Sequence, residues 1–160
     1  MKEIPLTKGA ITLVDEEDYD YLIQWKWRLH SNGYAVRSIF LGRVNEKPKI
    51  GLVYMHRALI NPPGAFQVDH INGDKLDNRR FNLRSVTPSQ NCMNRRKRID
   101  NTSGVIGVRW NKRLKGWESY IKLNGKNRYL GVSYQKENAI HIRKEAEKSY
   151  FKDFRFKGSY

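Results

Sequence analysis

The sequence predicts an α+β protein: a strand–loop–strand–helix core, followed by a small three-stranded antiparallel sheet packed on one helix. Three observations favour this class. Short apolar stretches recur between turn signals, as strands do. One polar, Asn-rich loop separates two of these stretches. A single long stretch near the C-terminal end has helical spacing.

The composition bounds the possible classes of protein. The chain has 160 residues, of which 39% are hydrophobic, and its mean hydropathy is −0.77. No apolar run approaches the roughly 18 residues of a spanning helix, and the opening MKEIPLTKG lacks the apolar region of a signal peptide. Cys92 is the one cysteine, which excludes an intramolecular disulfide and a cysteine-clustered zinc site. We therefore expect a cytoplasmic protein with no structural zinc and no membrane partner.

The net charge of +15 suits a polyanionic partner, most often nucleic acid. The charge is uneven along the chain. Residues 95–160 hold 18 Lys and Arg against 6 Asp and Glu, a net of +12, whereas residues 1–94 have a net of +3. The asymmetry predicts that the C-terminal part contacts the polyanion.

The first part of the chain reads as short strands around one helix. Ala10–Val14 is strand-like, and acidic residues open a helix in DEEDYDYLIQWKW. Gly33–Leu41 and Lys49–Ile60 are predicted strands joined by a polar hairpin loop at Gly42–Pro48. The NPPG sequence at Asn61–Gly64 is a strong breaker.

The stretch VDHINGDKLDNRRFNLRSVTPSQN combines acids, a histidine and many asparagines. Val68–Ile71 and Leu83–Thr87 alternate like strands, and turn-forming residues lie between them. Thr87 can cap a helix whose first position is Pro88, with Gln90 placed for a capping box. The predicted order is strand, loop, strand, helix.

This order can support hydrolysis of a phosphodiester. Asp69 and His70 end the first strand, and Asn91 in the first turns of the helix can point back at Asp69. Carboxylate and amide oxygens suit Mg²⁺. His70 can take a proton from an attacking water, and the Asn82 amide can fix the loop by hydrogen bonds. His56, in the upstream MHR, is expected to be structural.

The stretch resembles the HNH endonuclease family, whose ββα-metal fold has the same order of elements. The resemblance implies that Asp69 and Asn91 hold a divalent metal, most often Mg²⁺ with Mn²⁺ as a second choice. It implies that His70 is the general base and that Asn82, in FNLRSVT, braces the loop. Asn91 stands where many members have histidine. The MHR at Met55–Arg57 is similar to the homing-endonuclease branch of the family.

A second pattern begins at Val105, after the basic run NRRKR at Asn94–Arg98 and a polar linker at 99–104. Three short strands, VIGVRW, WESYIKL and RYLGV, are separated by turns. In the middle strand, Glu118, Tyr120 and Lys122 share one face, and the other face can pack on a helix in residues 133–151. That helix is predicted to bury a side formed by Ala139, Ile142, Ala146 and Tyr150.

Residues 104–154 are similar to the ethylene-response-factor (Apetala) type of DNA-binding domain, which has three strands and a helix in this order. The resemblance implies that four residues face DNA from the strands: Arg109, Tyr120, Lys122 and Tyr129. It implies that four others contact phosphates: Lys112, Arg113, Lys126 and Arg128. Lys122 stands where an Arg is usual and Tyr129 where a Trp is usual.

The sequence thus predicts a metal-dependent endonuclease that acts on double-stranded DNA, with a nuclease domain at 1–98 and a DNA-binding domain at 105–160. A homing endonuclease of a phage or other mobile element, in a bacterial host, is the expected niche, and no obligate protein partner is evident. Three alternatives stay open: a non-catalytic DNA-binding regulator, a restriction or repair HNH nuclease, and an RNA-binding protein. The regulator would not need Asp69, His70, Asn82 and Asn91 together.

Overall fold

Two compact units make up the protein, residues 1–87 and 88–160. The structure, a computed structural model, describes residues 1–94, 97 and 99–154. Arg95, Arg96 and Arg98 of the basic run, and the last six residues of the predicted second domain, lie outside the described residues. The division between the units falls at Thr87, ahead of the linker predicted at 99–104.

The first unit is built from small antiparallel sheets. Its strands and helices, in chain order, are β1 (Lys2–Pro5), β2 (Ile11–Val14), α1 (Glu16–Leu22), β3 (Arg28–Leu29), β4 (Ala35–Val44), β5 (Lys47–Tyr54), α2 (Met55–Ile60), β6 (Gln67–His70) and β7 (Leu83–Val86). The pairs are β1 with β2 and β6 with β7, and the three-stranded sheet has the order β3-β4-β5. Its apolar core is formed by Ile4, Leu6, Val14, Leu22, Trp27, Ala35, Met55, Leu59, Val68 and Leu83.

The predicted strand at Lys49–Ile60 is wrong in its second half, where Met55–Ile60 forms α2. A short apolar run does not distinguish a buried strand from a buried helix. Met55 and Leu59, one turn apart, both enter the core. Asn61, at φ 45°, closes the helix in the left-handed conformation that asparagine tolerates.

The helix predicted in DEEDYDYLIQWKW is shorter than expected, because α1 ends at Leu22. The indole Nε1 of Trp27 donates to the carbonyl oxygen of Leu22 at 2.8 Å, which satisfies one of the carbonyls left open at the helix end. Trp27 is buried, so the chain turns back into the core and leaves the helical path.

The second unit has the three strands and the long helix that were predicted. Its elements are α3 (Pro88–Asn91), β8 (Val108–Asn111), β9 (Gly116–Leu123), β10 (Lys126–Ser133) and α4 (Lys136–Phe151). The sheet is antiparallel with the order β10-β9-β8. Its first strand starts three residues later than the predicted VIGVRW, because Gly107 has φ 82° and lies against the Tyr120 carbonyl.

The buried side of α4 differs in part from the prediction. Ala139 is fully buried and packs with Val105 and Val108, as expected. Tyr150, which was predicted to be buried, is 44% exposed. Arg143, which was not predicted to be buried, lies in the interior. The Arg143 guanidinium pairs with Glu147 at 2.9 Å, and this pairing lets a charged group enter the interior.

Within the described residues, no helix is both long and apolar enough to cross a membrane.

Candidate active site

Asp69 and His70 lie side by side at the end of β6, both buried. In the antiparallel register Asp69 is opposite Arg84 and His70 is opposite Leu83. Successive residues of a strand point to opposite faces, so the two side chains have different surroundings. The segment after β6 forms the loop that was predicted, and it returns to β7 through a short turn at Arg80–Asn82.

Asn82 is buried and bridges two parts of this loop. Its Oδ1 accepts from the backbone N–H of Asn72 at 3.0 Å, and its Nδ2 donates to the carbonyl oxygen of Asp77 at 2.8 Å. Asp77 is in turn held by Arg79, whose guanidinium donates to both carboxylate oxygens at 2.7 Å. The hydrogen bond from Arg79 is the main cause that lowers the pKa of Asp77.

A chain of hydrogen bonds orients the His70 imidazole. The Thr12 hydroxyl donates to the Leu76 carbonyl at 2.7 Å, so it accepts from the Asn78 Nδ2 at 2.8 Å. The Asn78 amide therefore turns its Oδ1 toward His70, and the Nε2–Oδ1 distance is 3.2 Å. Because Oδ1 can only accept, Nε2 carries the proton and Nδ1 carries the lone pair.

Burial lowers the pKa of His70, against the opposing effects of the Asn78 hydrogen bond and the Asp69 charge. The imidazole is therefore neutral near pH 7, which is the form that accepts a proton. The sequence predicted the histidine but not its support. Thr12 lies on β2, far from His70 along the chain, and no local pattern marks it.

An aromatic cluster surrounds the imidazole. The ring centroids of His56 and His70 are 5.2 Å apart, and those of Tyr34 and His70 are 5.8 Å apart. Tyr54 also packs on His56, at 5.5 Å. Burial, and next the neighbouring His70, lower the pKa of His56 to about 3. His56 is thus a neutral neighbour of the candidate base, and the MHR sequence was the signal that pointed to it.

Asp69 forms an ion pair with Arg84, whose Nε donates to the carboxylate Oδ2 at 2.9 Å and whose Nη2 lies 2.7 Å from the same oxygen. Among the described residues no group of three or more His, Cys, Asp or Glu is placed to hold a metal. Mg²⁺ commonly binds one or two carboxylates and keeps waters and substrate phosphate oxygens as its other ligands. A single carboxylate with an amide oxygen fits that donor chemistry.

Asn91, the other predicted metal ligand, is the last residue of α3 and belongs to the second unit. Ser89 of the same helix donates its hydroxyl to the Asn124 side chain at 3.2 Å, which ties α3 to the turn between β9 and β10. The role of Asn91 as a ligand stays a prediction.

The second unit presents a polar and aromatic sheet face. The register places Arg109 opposite Glu118 and Tyr129 opposite Tyr120, and Lys122 follows Tyr120 on the same face of β9. The structure thus brings the four strand residues predicted to face DNA onto one surface. The Arg109 Nε donates to Glu118 at 2.8 Å, and its guanidinium lies 5.4 Å from the Tyr120 ring centroid.

This sheet face contains a cavity of 190 Å³, lined by Arg109, Glu118, Tyr120, Asn127 and Tyr129. Asn127 is opposite Lys122 and was not predicted, because only the strand register shows that it shares this face.

The four residues predicted to contact phosphates fall into two groups. Lys112 and Arg113 are exposed in the turn between β8 and β9. Lys126 and Arg128 are opposite Leu123 and Ile121, so they extend from the other face of the sheet. Arg128 donates to the Tyr150 hydroxyl of α4 at 2.9 Å.

Comparison with known proteins agrees with the class of site. Residues 61–93 match the family model described as HNH endonuclease, a segment that includes Asp69, His70, Asn82 and Asn91. The match supports a DNA nuclease in general terms.

Two viral proteins are similar to the chain over longer segments. One is an uncharacterized HNH endonuclease of Acanthamoeba polyphaga mimivirus, 32% identical over 102 residues, which are 64% of this chain and 50% of that protein. The other is Protein 3.8 of Escherichia phage T7, 34% identical over 64 residues, which are 40% of this chain and 53% of that protein. The chain spans about half the length of these relatives. No solved structure matches it significantly.

Proposed function

We propose that the protein is a metal-dependent HNH-type endonuclease that hydrolyses phosphodiester bonds of double-stranded DNA. The observation that carries the proposal is the support of His70. A buried, neutral imidazole is oriented by Asn78 and Thr12, next to Asp69, inside the segment that matches the HNH family.

In this proposal the Nδ1 lone pair of His70 takes the proton of the attacking water. The Nε2–H bond to Asn78 fixes the ring while this happens, and it stabilises the imidazolium that forms. Asn82 keeps the loop in place through its bonds to Asn72 and Asp77.

Asp69 and Asn91 would hold the divalent ion, most often Mg²⁺ with Mn²⁺ as a second choice. The ion, when bound, supplies positive charge for the phosphoryl oxygens and the leaving 3′ oxygen. Arg84 holds one oxygen of Asp69 and thereby fixes the direction of the carboxylate. The ββα-metal arrangement of β6, β7 and α3 belongs to this proposal and is supported by their order in the chain.

The second unit would bind the DNA, as an ethylene-response-factor-type domain does, through the sheet face of Arg109, Tyr120, Lys122 and Tyr129. The net charge of +12 in residues 95–160 and the order of three strands and a helix support this role. A homing role in a phage or mobile element fits the viral origin of the two relatives. The cytoplasm of a bacterial host fits the phage T7 relative.

The test is cleavage of supercoiled plasmid with Mg²⁺, with Mn²⁺ and with EDTA, using the whole chain and two variants. We expect cleavage only with a divalent ion. His70→Ala should lower the single-turnover rate by about two to four orders of magnitude, the range of a general acid–base group, with DNA affinity unchanged. His141→Ala, on the exposed side of α4, is the matched control and should cleave normally.

Full cleavage in EDTA, or by His70→Ala, would contradict the mechanism. Tight binding with no cleavage under any of these conditions would favour the non-catalytic DNA-binding regulator instead.

A further inference from the structure

The hairpin of β4 and β5 extends beyond the sheet to which it belongs. β3 pairs with only Ala35 and Val36 of β4, whereas the pairing of β4 with β5 continues to Val44. Every residue from 38 to 50 is exposed, except Gly42, which is half-buried. Residues 37–53 therefore form a two-stranded ribbon, closed by a turn in which Asn45 and Glu46 both have positive φ.

The ribbon holds the net charge of the first unit. Its four basic residues and one acidic residue give +3, and the whole unit also has a net charge of +3, so the rest of the unit is neutral. Arg79 and Arg80, near the candidate site, are paired with carboxylates. In the described part of the chain, Arg43, Lys47 and Lys49 form no ion pair. Their positive charges are therefore available to an anionic ligand.

Apolar side chains are exposed between these cations. Phe40 and Ile50 are directly opposite each other and are 61% and 56% exposed. Leu41 and Val44 are exposed to a similar degree, at 55% and 56%. As a cross-strand pair, Phe40 and Ile50 share one face of the ribbon, and an exposed apolar pair of this kind is available to a partner.

The residues of β5 favour a polyanion over a second copy of the chain as the partner of the ribbon. Beyond Val36 both strands of the ribbon are edges to which a second copy could add a strand, and β5 is also the outer edge of the whole β3-β4-β5 sheet. Lys47, Pro48 and Lys49 stand on this edge, and lysine and proline are the residues that oppose such pairing. A polyanion complements the unpaired cations, and B-DNA admits a two-stranded ribbon in its major groove.

We propose that the β4–β5 ribbon is a second DNA-binding surface, separate from the sheet of the second unit. Lys47 and Lys49 contact phosphates, and Phe40 and Ile50 contact the apolar parts of the groove, such as thymine methyl groups. The inference rests on the proposed function for the identity of the nucleic acid, and it assigns a role to a part of the first unit that lies outside the HNH match.

The charge test measures binding of the whole chain to a DNA duplex in EDTA over a series of salt concentrations. Lys47→Gln with Lys49→Gln should flatten the slope of log K against log salt by about 1.8, because each lost phosphate contact removes about 0.9. Lys8→Gln with Lys26→Gln removes two exposed lysines from the same unit and should leave the slope unchanged.

The apolar test compares two isoleucines of similar exposure, Ile50 at 56% and Ile23 at 49%. In the proposed complex the exposed half of the Ile50 side chain is buried against DNA. Ile50→Ser removes this apolar burial and should weaken DNA binding about tenfold. Ile23→Ser should bind normally. Sedimentation of both variants and of the parent protein reports on self-association.

An unchanged salt slope for the double lysine variant, in a protein that still binds DNA, would overturn the proposal. So would an Ile50→Ser variant that binds DNA normally but loses a dimer, because the partner would then be a second copy. Since the measurement is binding without a metal, a protein that passes it but never cleaves contradicts only the nuclease proposal.

Discussion

His70 is neutral because burial lowers its pKa, and it is oriented because the side-chain oxygen of Asn78 accepts from Nε2. His56 beside it is also buried, with its pKa lowered to about 3. A histidine that is neutral when folded and charged when unfolded makes stability depend on pH. The unfolded state binds the extra proton between pH 6.5 and about 3, so stability falls as pH falls through that window.

His56→Gln tests this dependence, since glutamine does not titrate. Between pH 6.5 and 4.5 the parent protein should lose on the order of 2 kcal/mol more of its unfolding free energy than the variant does. The measurement is urea unfolding at several pH values, with the exposed His141→Gln as control. Equal pH dependence in the parent and His56→Gln would show that His56 takes a proton while folded.

At the scale of elements, side-chain hydrogen bonds in the loop of the β6–β7 hairpin add to the burial of Val68, Leu83 and Val86 on its strands. Asn82 connects the start of the loop at Asn72 with Asp77 near its end. β2 holds the same loop from outside, because the Leu13 N–H donates to the Leu76 carbonyl and the Leu13 carbonyl accepts from the Asn78 N–H, both at 2.8 Å. The N-terminal segment thus positions the candidate site.

Asn82→Ala should lower activity by loosening this loop. The substitution leaves the Asn72 N–H and the Asp77 carbonyl without their partner, which costs about 1–3 kcal/mol for each buried group that water does not reach. Plasmid cleavage and thermal unfolding are measured on the same preparation, with Asn138→Ala on the exposed side of α4 as control. A variant that melts like the parent but does not cleave would assign Asn82 a direct role with the substrate.

At the scale of the whole molecule, the two units differ in net charge. Residues 1–87 have a net charge of +3 and include Asp69, His70 and Asn82, and residues 88–160 contain the basic sheet and helix. Phosphate neutralisation releases counterions, so the unit with more cations should dominate the salt dependence of DNA binding.

We therefore expect a fragment of residues 88–160 to retain most of the salt slope of the whole chain, and a fragment of residues 1–87 to retain a smaller part. Binding to one duplex is measured for both fragments and the whole chain, after circular dichroism has shown that each fragment is folded. If residues 1–87 kept the full affinity and slope, the basic second unit would be a solvated surface and not the main DNA contact.

The sequence by itself determined the features that depend on neighbouring residues. The strands β6 and β7, the start of α3 at Pro88, the three strands of the second unit and the helix α4 were predicted from turn residues, alternation and helical spacing. Asp69, His70, Asn82 and Asn91 were selected as candidates because their types and spacing are local in the chain. Their roles stay predictions.

Only the tertiary structure decided the features that depend on distant residues. Whether Met55–Ile60 is a helix or a strand depends on the core that its side chains enter. The proton on His70 Nε2 depends on Thr12, and the neutrality of His56 depends on burial among aromatic rings. The exposure of the β4–β5 ribbon depends on where β3 stops pairing. Such properties arise from contacts between segments far apart in sequence, which no local pattern encodes.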